Sequence, residues 1–589
     1  MTVESTEDYK DLMGRERPGL EDWEKATKTP KVEQERLLEH ILKKNGSSLY
    51  LQQFGLNGAT DVHTFRELVP VCNHEDILPY IERIVQGDKA PLLTGDPVIE
   101  LCQSSGTTGG QPKVYPITEE DITLRVRFQE ITRSIFNGAL PKQERGKTLF
   151  FMNLLPAQKT PGGLLQLPAS TSVFQREVSK AVLQFTSPKE VILASNFKEA
   201  TYCHLLCGLL QRDQVIKIRT TFASFFVMCV RYLEECWPEI CDDIVSGTLN
   251  QTRVQNYSVR AAVLPYLRPD PELADTIRQK CLGKGWKGIV KSLWPKCKVV
   301  QAICTGSMAA YMPILNYYTD NLPVLSGIYA CSEGFFGVNM DPTCLPEATS
   351  YTLIPTVAYF EFVPLADDQQ KNNHKDQIVD LTSVKEGHEY EILVTTISGL
   401  SRYRIGDVLK VVGFHNATPK FEFVRREGTV LSVDVEKTTE RELLLGMTSA
   451  AKLLEDHLGL RLEDFTSTGD LSTSPPHYII YLELKNDESA IQDVPTDILE
   501  KCCSTVESSL GDMYRSWRFR NFIGPLEFRI VQEKTFEKMM AVALLRGATA
   551  AQFKTPRGLG PQHSHYLEVL TNGLSQCYVS QSRPQSPGF

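Results

Sequence analysis

Short apolar runs alternate with longer amphipathic ones along most of the chain. From Val32 to Asn45, Leu37, Leu38, Ile41 and Leu42 recur at helical spacing, and Gly46 marks the stop. Ile99 to Leu101, Val191 to Leu193, Val299 to Cys304 and Val324 to Tyr329 are short β-rich runs. Helical stretches follow from about Thr118 and from about Tyr202 to Arg212. This alternation predicts α/β architecture with much parallel sheet, in which ligands sit at strand ends. Pro364 to Gly387 is polar and rich in Lys, Asp and Gln, as expected of a surface excursion. Strands are expected again at Tyr390 to Thr396 and Tyr403 to Gly413.

A smaller α/β unit begins near Gly428. Its expected helices lie near Glu440 to His457, Asp497 to Leu510 and Phe536 to Leu545, and its strands at Tyr478 to Leu484 and Leu526 to Val531. The expected organisation is a loose leader over 1–30, a large domain over 31–427, a smaller domain over 428–570 and a disordered Ser/Gln/Pro-rich tail over 571–589. No internal repeat is present.

Composition narrows the function classes. A chain of 589 residues exceeds what a single core usually serves. With 63 basic against 72 acidic residues the net charge is −9, which argues against nucleic acid or an anionic membrane as partner. No apolar run approaches the ~18 residues of a membrane span. The N-terminus is polar and acidic, without a signal-peptide core. The 15 scattered cysteines include no CxxC pair, so reduced thiols and a cytoplasmic location are expected.

Three segments could hold a nucleotide. Ser104-Ser105-Gly106-Thr107-Thr108-Gly109-Gly110-Gln111-Pro112-Lys113 combines small residues, hydroxyls and a lysine, which together can cradle phosphate. It is not a Walker loop, and a Ser/Gly-rich surface loop is the competing reading. Tyr329-Ala330-Cys331-Ser332-Glu333-Gly334 puts a carboxylate just after a strand. Such a Glu is commonly solvated, yet Mg²⁺ needs only one or two protein carboxylates when phosphate oxygens complete its shell. Arg402-Tyr403-Arg404-Ile405-Gly406-Asp407 offers an Asp that can accept hydrogen bonds from ribose hydroxyls, with a plain turn between strands as the alternative. Jointly they suit one chemistry, the activation of a carboxylate by ATP as an acyl-adenylate. A Ser-His triad is not indicated, because Ser105 and His204 lack the nucleophile-elbow context.

In this order the three segments resemble the signature motifs of adenylate-forming enzymes. More closely, the chain is similar to the plant acyl-acid–amido synthetases, the auxin-responsive Gretchen Hagen family. Further landmarks are Tyr202 to Leu209, Pro271-Glu272-Leu273-Ala274, Thr305-Gly306-Ser307-Met308, Tyr359-Phe360-Glu361-Phe362 and Lys554-Thr555-Pro556-Arg557. The resemblance implies a large N-terminal adenylate-forming domain with a smaller, mobile C-terminal cap, using ATP and Mg²⁺. The substrates it implies are a small acyl acid (auxin, jasmonate or a benzoate) and an amino acid. It puts Ser104, Ser105 and Thr107 on phosphate, Glu333 on Mg²⁺, and Tyr329, Ala330, Cys331, Ser332 and Gly334 along the nucleotide and acyl sites. Asp407 would hold the ribose, and Lys437 and Lys554 would approach the phosphates when the cap closes about a hinge at 426–429. Gln129, Thr132, Gly163, Thr305 and Met308 would line the substrate sites. Benzoate users carry an Arg where Thr132 stands here, which favours an apolar, auxin-like acid.

The chain departs from the family pattern at Ala330-Cys331 (usually Gly-Ser), at Ser401 (usually aromatic), at Lys534 (usually Gly) and at Gly163-Leu164-Leu165 (usually Gly-Leu-Pro). Two alternatives stay open: a hormone-binding pseudoenzyme, which the changes at Ala330-Cys331 and Lys534 motivate, and a coenzyme A ligase, against which the absence of a separate basic patch or carrier-attachment domain weighs. The acid, the amino acid and the oligomeric state are not fixed by the sequence; a monomer is expected.

Overall fold

The computed structural model describes residues 20–582 apart from 109–110, 140–145, 153, 155–156, 169–170, 173, 175–183, 195, 284, 366–377, 427–429, 434–435, 437, 474, 487–492, 520 and 561–562. Among the described residues, no helix is long and apolar enough to cross a membrane.

The predicted first helix runs Pro30–Asn45, with Pro in its first turn and Leu37, Leu38, Ile41 and Leu42 buried. Gly46 follows it, its N–H bonded to the Leu42 carbonyl. The strands Lys147–Phe150, Val215–Phe222, Val299–Ile303 and Val324–Leu325 form a parallel sheet in that order. Helices Phe197–Leu210, Ala223–Ser246 and Met312–Thr319 contribute to the apolar core shared with this sheet.

The largest sheet is different in kind. It has eight strands, and every pairing within it is antiparallel. The expected parallel sheet is thus present, and beside it the largest sheet is antiparallel. Its inner strand Glu389–Thr395 is buried at nearly every position, so it lacks the alternation that marks a half-exposed antiparallel strand. The run Val324 to Tyr329 is likewise not one strand. Val324–Leu325 ends the parallel sheet and Ile328–Ala330 begins the edge of the antiparallel one. Gly327 lies at this changeover, where a Cβ would stand 1.8 Å from the Phe136 ring. Val191 and Ile192 belong to a short helix, Lys189–Ile192, rather than a strand.

The C-terminal unit is a five-stranded mixed sheet ordered Gly558–Leu559, Arg461–Asp470, His477–Lys485, Glu527–Val531, Leu574–Val579. Helices Glu440–Leu458 and Thr496–Ser509 share one apolar core with it, and Thr535–Leu545 shares a second. Thr439 and Glu442 close a capping box at the start of the first of these helices.

Parts of the expected leader and tail are regular in structure. Leu20–Ala26 is helical, with Trp23 buried and stacked on His415 at 5.1 Å. Leu574–Val579 is not disordered but an edge strand paired antiparallel with Glu527–Val531. Its residues alternate between half-buried and exposed, so a polar composition suffices there.

Candidate active site

The carboxyl ends of the parallel strands, the second and third motifs and the C-terminal unit enclose a cavity of about 1150 Å³. The first motif is not a free loop. It is the tip of a hairpin between Glu100–Thr108 and Gln111–Ile117, with Thr108 opposite Gln111. Ser104 and Lys113 line the cavity from it. The backbones of Ser105 and Thr107 lie in the same hairpin, but their side chains fall outside the described structure.

The second motif is the turn between Ile328–Ala330 and Phe335–Val338, closed by the Cys331 N–H on the Gly334 carbonyl at 2.9 Å. Tyr329, Ala330, Cys331, Ser332 and Glu333 line the cavity. Gly334 does not; it gives room to Phe336, whose ring a Cβ would meet at 2.5 Å. Glu333 is 5% exposed and accepts a hydrogen bond from the Tyr115 hydroxyl at 2.9 Å. The Tyr115 and Tyr403 hydroxyls stand 3.1 Å apart. Burial, then Glu333, pushes the Cys331 thiol far above its usual range. Beneath the turn, Arg125 bonds Asp121 at 2.7 Å and the Ser332 carbonyl at 3.2 Å.

The third motif splits at the start of its strand, where Arg402 takes a left-handed backbone at φ +49° just before Tyr403–His415. Arg402 turns away from the cavity and holds both oxygens of Glu361, at 3.0 and 3.1 Å, together with the Arg66 and Val69 carbonyls. Arg404 lines the cavity and pairs with Glu391. Asp407 sits within the strand Tyr403–His415, not in a turn. One of its oxygens accepts from the Tyr329 hydroxyl at 2.9 Å, and the other lies 3.4 Å from Arg426 Nε on the paired strand. Burial raises the Asp407 carboxyl above its usual range, opposed by Arg426 and Tyr329.

Lys554 reaches in from the C-terminal unit, its Nζ 4.4 Å from the centre of the Phe222 ring. Enclosure by the cavity walls, then Arg426, lowers its ammonium from the usual lysine range, with Asp407 opposing. Lys437 and the hinge residues 427–429 lie outside the described residues.

Gln129 and Thr305 line the cavity as expected, but three other residues do not. Thr132 is buried, its hydroxyl donating to the Phe128 carbonyl at 2.8 Å. Met308 is a core residue whose sulfur accepts from Ser224 at 3.4 Å. Gly163 is exposed in a turn with φ +87°. Conversely, the sequence did not single out Tyr115, although it sits two residues beyond Lys113 and therefore on the same strand face. Nor did it single out Arg219, which lines the cavity from Val215–Phe222.

The departures now have addresses. Ala330 has regular strand backbone, not the left-handed conformation that would call for glycine. Ser401 is buried, and its carbonyl accepts the Cys72 thiol hydrogen at 3.1 Å. Lys534 does adopt the left-handed region, at φ +65°, immediately before helix Thr535–Leu545.

Comparison with known proteins agrees with this layout. The descriptions of the GH3 family N-terminal, central and C-terminal domains match residues 19–324, 351–426 and 441–561. Indole-3-acetic acid-amido synthetase GH3.6 of Arabidopsis thaliana is 39% identical over 576 residues, covering 94% of this chain and 93% of that protein. The solved GH3.15 acyl acid amido synthetase superposes with a TM-score of 0.89 at 39% identity, over 96% of this chain and 98% of that one. A 2-hydroxyisobutyryl-CoA ligase in its postadenylation state shares the fold, with a TM-score of 0.51 at 10% identity over 95% of this chain and 94% of that one. With three successive domain matches in order and near-complete coverage by relatives, the chain belongs to the GH3 family.

Proposed function

We propose that this protein is an ATP-dependent ligase that activates a small acyl acid as its adenylate and joins it to the amine of an amino acid. The observation that carries this reading is the convergence of Glu333, Asp407 and Lys554 on one cavity, from two motifs and a separate domain. Relatives of the chain are named indole-3-acetic acid-amido synthetase and acyl acid amido synthetase, and the fold is that of adenylate-forming enzymes.

The residues present fit the nucleotide. Asp407 is fixed by Tyr329 and Arg426 and has lone pairs for vicinal ribose hydroxyls. Lys113, Arg426 and Lys554 supply positive charge for the phosphates. Among the described residues, no group of three or more His, Cys, Asp or Glu is arranged to hold a metal ion. Glu333 alone suits Mg²⁺ only in the company of phosphate oxygens. When bound with ATP, Mg²⁺ would neutralise phosphate charge and leave the acyl acid's oxygen a better line of attack.

The chain's own contribution is positioning and the exclusion of water. Ile328, Ala330 and Phe335 give the acyl acid an apolar wall beside Gln129. The acid's carboxylate attacks the α-phosphorus of ATP, and pyrophosphate departs. The amine then attacks the acyl carbon, releasing AMP, with Lys554 compensating the charge left on phosphate.

The test is acyl-acid-dependent ATP–pyrophosphate exchange with indole-3-acetate, jasmonate and benzoate. A chase with the amino acids or with coenzyme A follows, read by mass spectrometry. An N-acyl amino acid with stoichiometric AMP is expected; a thioester product, or no exchange with any acid, overturns the reading.

A further inference from the structure

Lys554 differs from two arginines of the same cavity in what holds it. Arg404 pairs with Glu391, and Arg426 with Asp407. Lys554 has neither a hydrogen bond nor an ion pair with any described residue. Its Nζ is seated instead over the face of Phe222, at the end of the strand Val215–Phe222, 4.4 Å from the ring centre. A ring face attracts a cation but brings no opposite charge and takes up no N–H donor. The carboxylate that acts on Lys554 from a distance, Asp407, is already engaged by Tyr329 on one oxygen and Arg426 on the other.

A lysine enclosed in this way is a nucleophile as well as a charge. Burial, then Arg426, lowers its ammonium from the usual range, so more of it is the neutral amine than in a solvated lysine. Position adds to this. A side chain that compensates charge on the α-phosphate also stands close to the acyl carbon, because a single oxygen joins the two in an acyl-adenylate. Held reactants gain most when one lies within van der Waals reach of the other, and Lys554 lines the same cavity as Glu333 and Asp407.

We propose that Lys554 is a self-acylation site: when acyl-adenylate forms and no amino acid is in the cavity, its Nζ attacks the acyl carbon and becomes an Nε-acyl-lysine. The assignment rests on the ligase reading above. The amine's lone pair forms the new C–N bond, and the C–O bond of the mixed anhydride breaks. AMP leaves with that electron pair, and the amine's proton passes to solvent. The product is a neutral amide, so the chain loses the charge that Lys554 brings to the phosphates. The attached acyl group also fills the space that the next acid needs. An amino acid competes for the same carbon with its own amine and thereby protects the lysine. Chains that activate an acid without an acceptor switch themselves off.

The experiment incubates the full chain with ATP, Mg²⁺ and the acyl acid that gives the strongest pyrophosphate exchange, with and without the amino acid it uses. Intact-mass measurement and peptide mapping follow. The expected result is the added mass of one acyl group per chain, mapped to Lys554 and resistant to hydroxylamine, as an amide is. It should require both ATP and the acid, and the amino acid should suppress it. Turnover on later addition of the amino acid should fall in proportion to the modified fraction. Lys554→Arg keeps the charge without the nucleophilic amine. Both proteins are therefore also given chemically prepared acyl-adenylate, which bypasses any loss of the variant's own adenylation step; only the wild type should gain the adduct, with melting temperature as the check on folding. A wild type that exchanges pyrophosphate yet stays unmodified overturns the proposal. So does an adduct on Lys113 or Cys331, which line the same cavity, labelling spread over surface lysines, or equal labelling of Lys554→Arg. Absence of exchange with any acid overturns the ligase reading and this inference together, and is thereby distinguished from failure at Lys554 alone.

Discussion

The Tyr115 hydroxyl donates to Glu333 at 2.9 Å, joining the return strand of the first motif to the turn of the second across 218 residues of sequence. Burial, then Glu333, keeps the phenol far above its usual range, so it remains a donor throughout the working pH of a protein. Tyr403 stands behind it, 3.1 Å from the same hydroxyl, which brings the third motif into the contact. One buried tyrosine thus ties together the three segments proposed to bind different parts of one nucleotide.

Removing the carboxylate should therefore hurt more than removing its orienting partner. Glu333→Ala is expected to lower acyl-dependent pyrophosphate release roughly a hundredfold or more. Tyr115→Phe should retain measurable activity but require more Mg²⁺ for half-maximal rate, because Glu333 keeps its charge and loses its fixed orientation. Rates at graded Mg²⁺ check both, and a loss below tenfold for Glu333→Ala at saturating Mg²⁺ would remove Glu333 from the role.

Asp407 is constrained by two partners and lies on the same wall as Tyr329. Asp407→Ala should raise the ATP KM about tenfold more than the acyl-acid KM, since the hydrogen bonds lost go to one substrate only. Steady-state titration of each substrate decides; parallel increases would mean a general collapse of the cavity.

The three motifs were legible in the sequence because each is contiguous and carries its chemistry in a few adjacent residues. What joins them was not. Tyr115 meets Glu333, and Arg402 meets Glu361, only through tertiary packing, and no local pattern announces either pair. Arg402 in particular reads as part of a binding motif and proves to be a buried clasp on the segment 66–69. Strand direction in the largest sheet was not legible for a related reason. Glu389–Thr395 is buried on both faces, and such a strand has the same apolar signature whichever way its neighbours run. The helix Ala223–Ser246 escaped notice because its buried residues extend around much of its circumference.

Glu483 gives a pH signature. Burial lifts its carboxyl from 4.5 to about 7, against the backbone N–H groups of Phe536 and Lys534 and the charge of Arg231, with Asp464 adding to the rise. A carboxyl raised by folding binds its proton more tightly in the folded state, so its contribution to stability falls as pH climbs from about 4.5 to about 7. The melting temperature of the wild type relative to Glu483→Gln should accordingly be higher at pH 5 than at pH 8. A difference that is flat or grows with pH would contradict this.

Lys534 occupies a left-handed position at φ +65° that glycine tolerates without strain. The conformation costs a non-glycine residue on the order of 1 kcal/mol. Its ion pair with Glu235 is 3.7 Å long and largely exposed, and such pairs contribute about 0–1 kcal/mol. Lys534→Gly is therefore expected to leave stability unchanged or raise it by up to about 1 kcal/mol, the added freedom of the unfolded chain limiting the gain. Denaturant unfolding measures it; a clear loss of stability would show that the side chain matters more than the backbone.

The same ion pair is one of several that tie the C-terminal unit to the large domain. Lys485 pairs with Glu234 at 2.8 Å, Lys198 with Glu537 at 3.3 Å, and Arg231 with Glu463. Tyr311 adds a hydrogen bond to Asp464 at 2.8 Å. Three of the acidic or basic partners, Arg231, Glu234 and Glu235, lie on the single helix Ala223–Ser246. The partly exposed pairs, those of Lys485, Lys198 and Lys534, each contribute at most about 1 kcal/mol, so they bias the arrangement of the two units without locking it. Lys554 belongs to the C-terminal unit and reaches the cavity only while that arrangement holds. Replacing Glu234 and Glu235 by Gln should enlarge the radius of gyration and lower turnover, whereas Lys554→Ala should lower turnover with scattering unchanged. Raising salt from about 0.15 M to 1 M shortens the screening length from about 8 Å to about 3 Å and should act on the wild type as the double substitution does. Small-angle scattering with parallel rate measurements separates these outcomes. Identical scattering of wild type and double variant at both salt concentrations would show that apolar packing, not charge, holds the two units together.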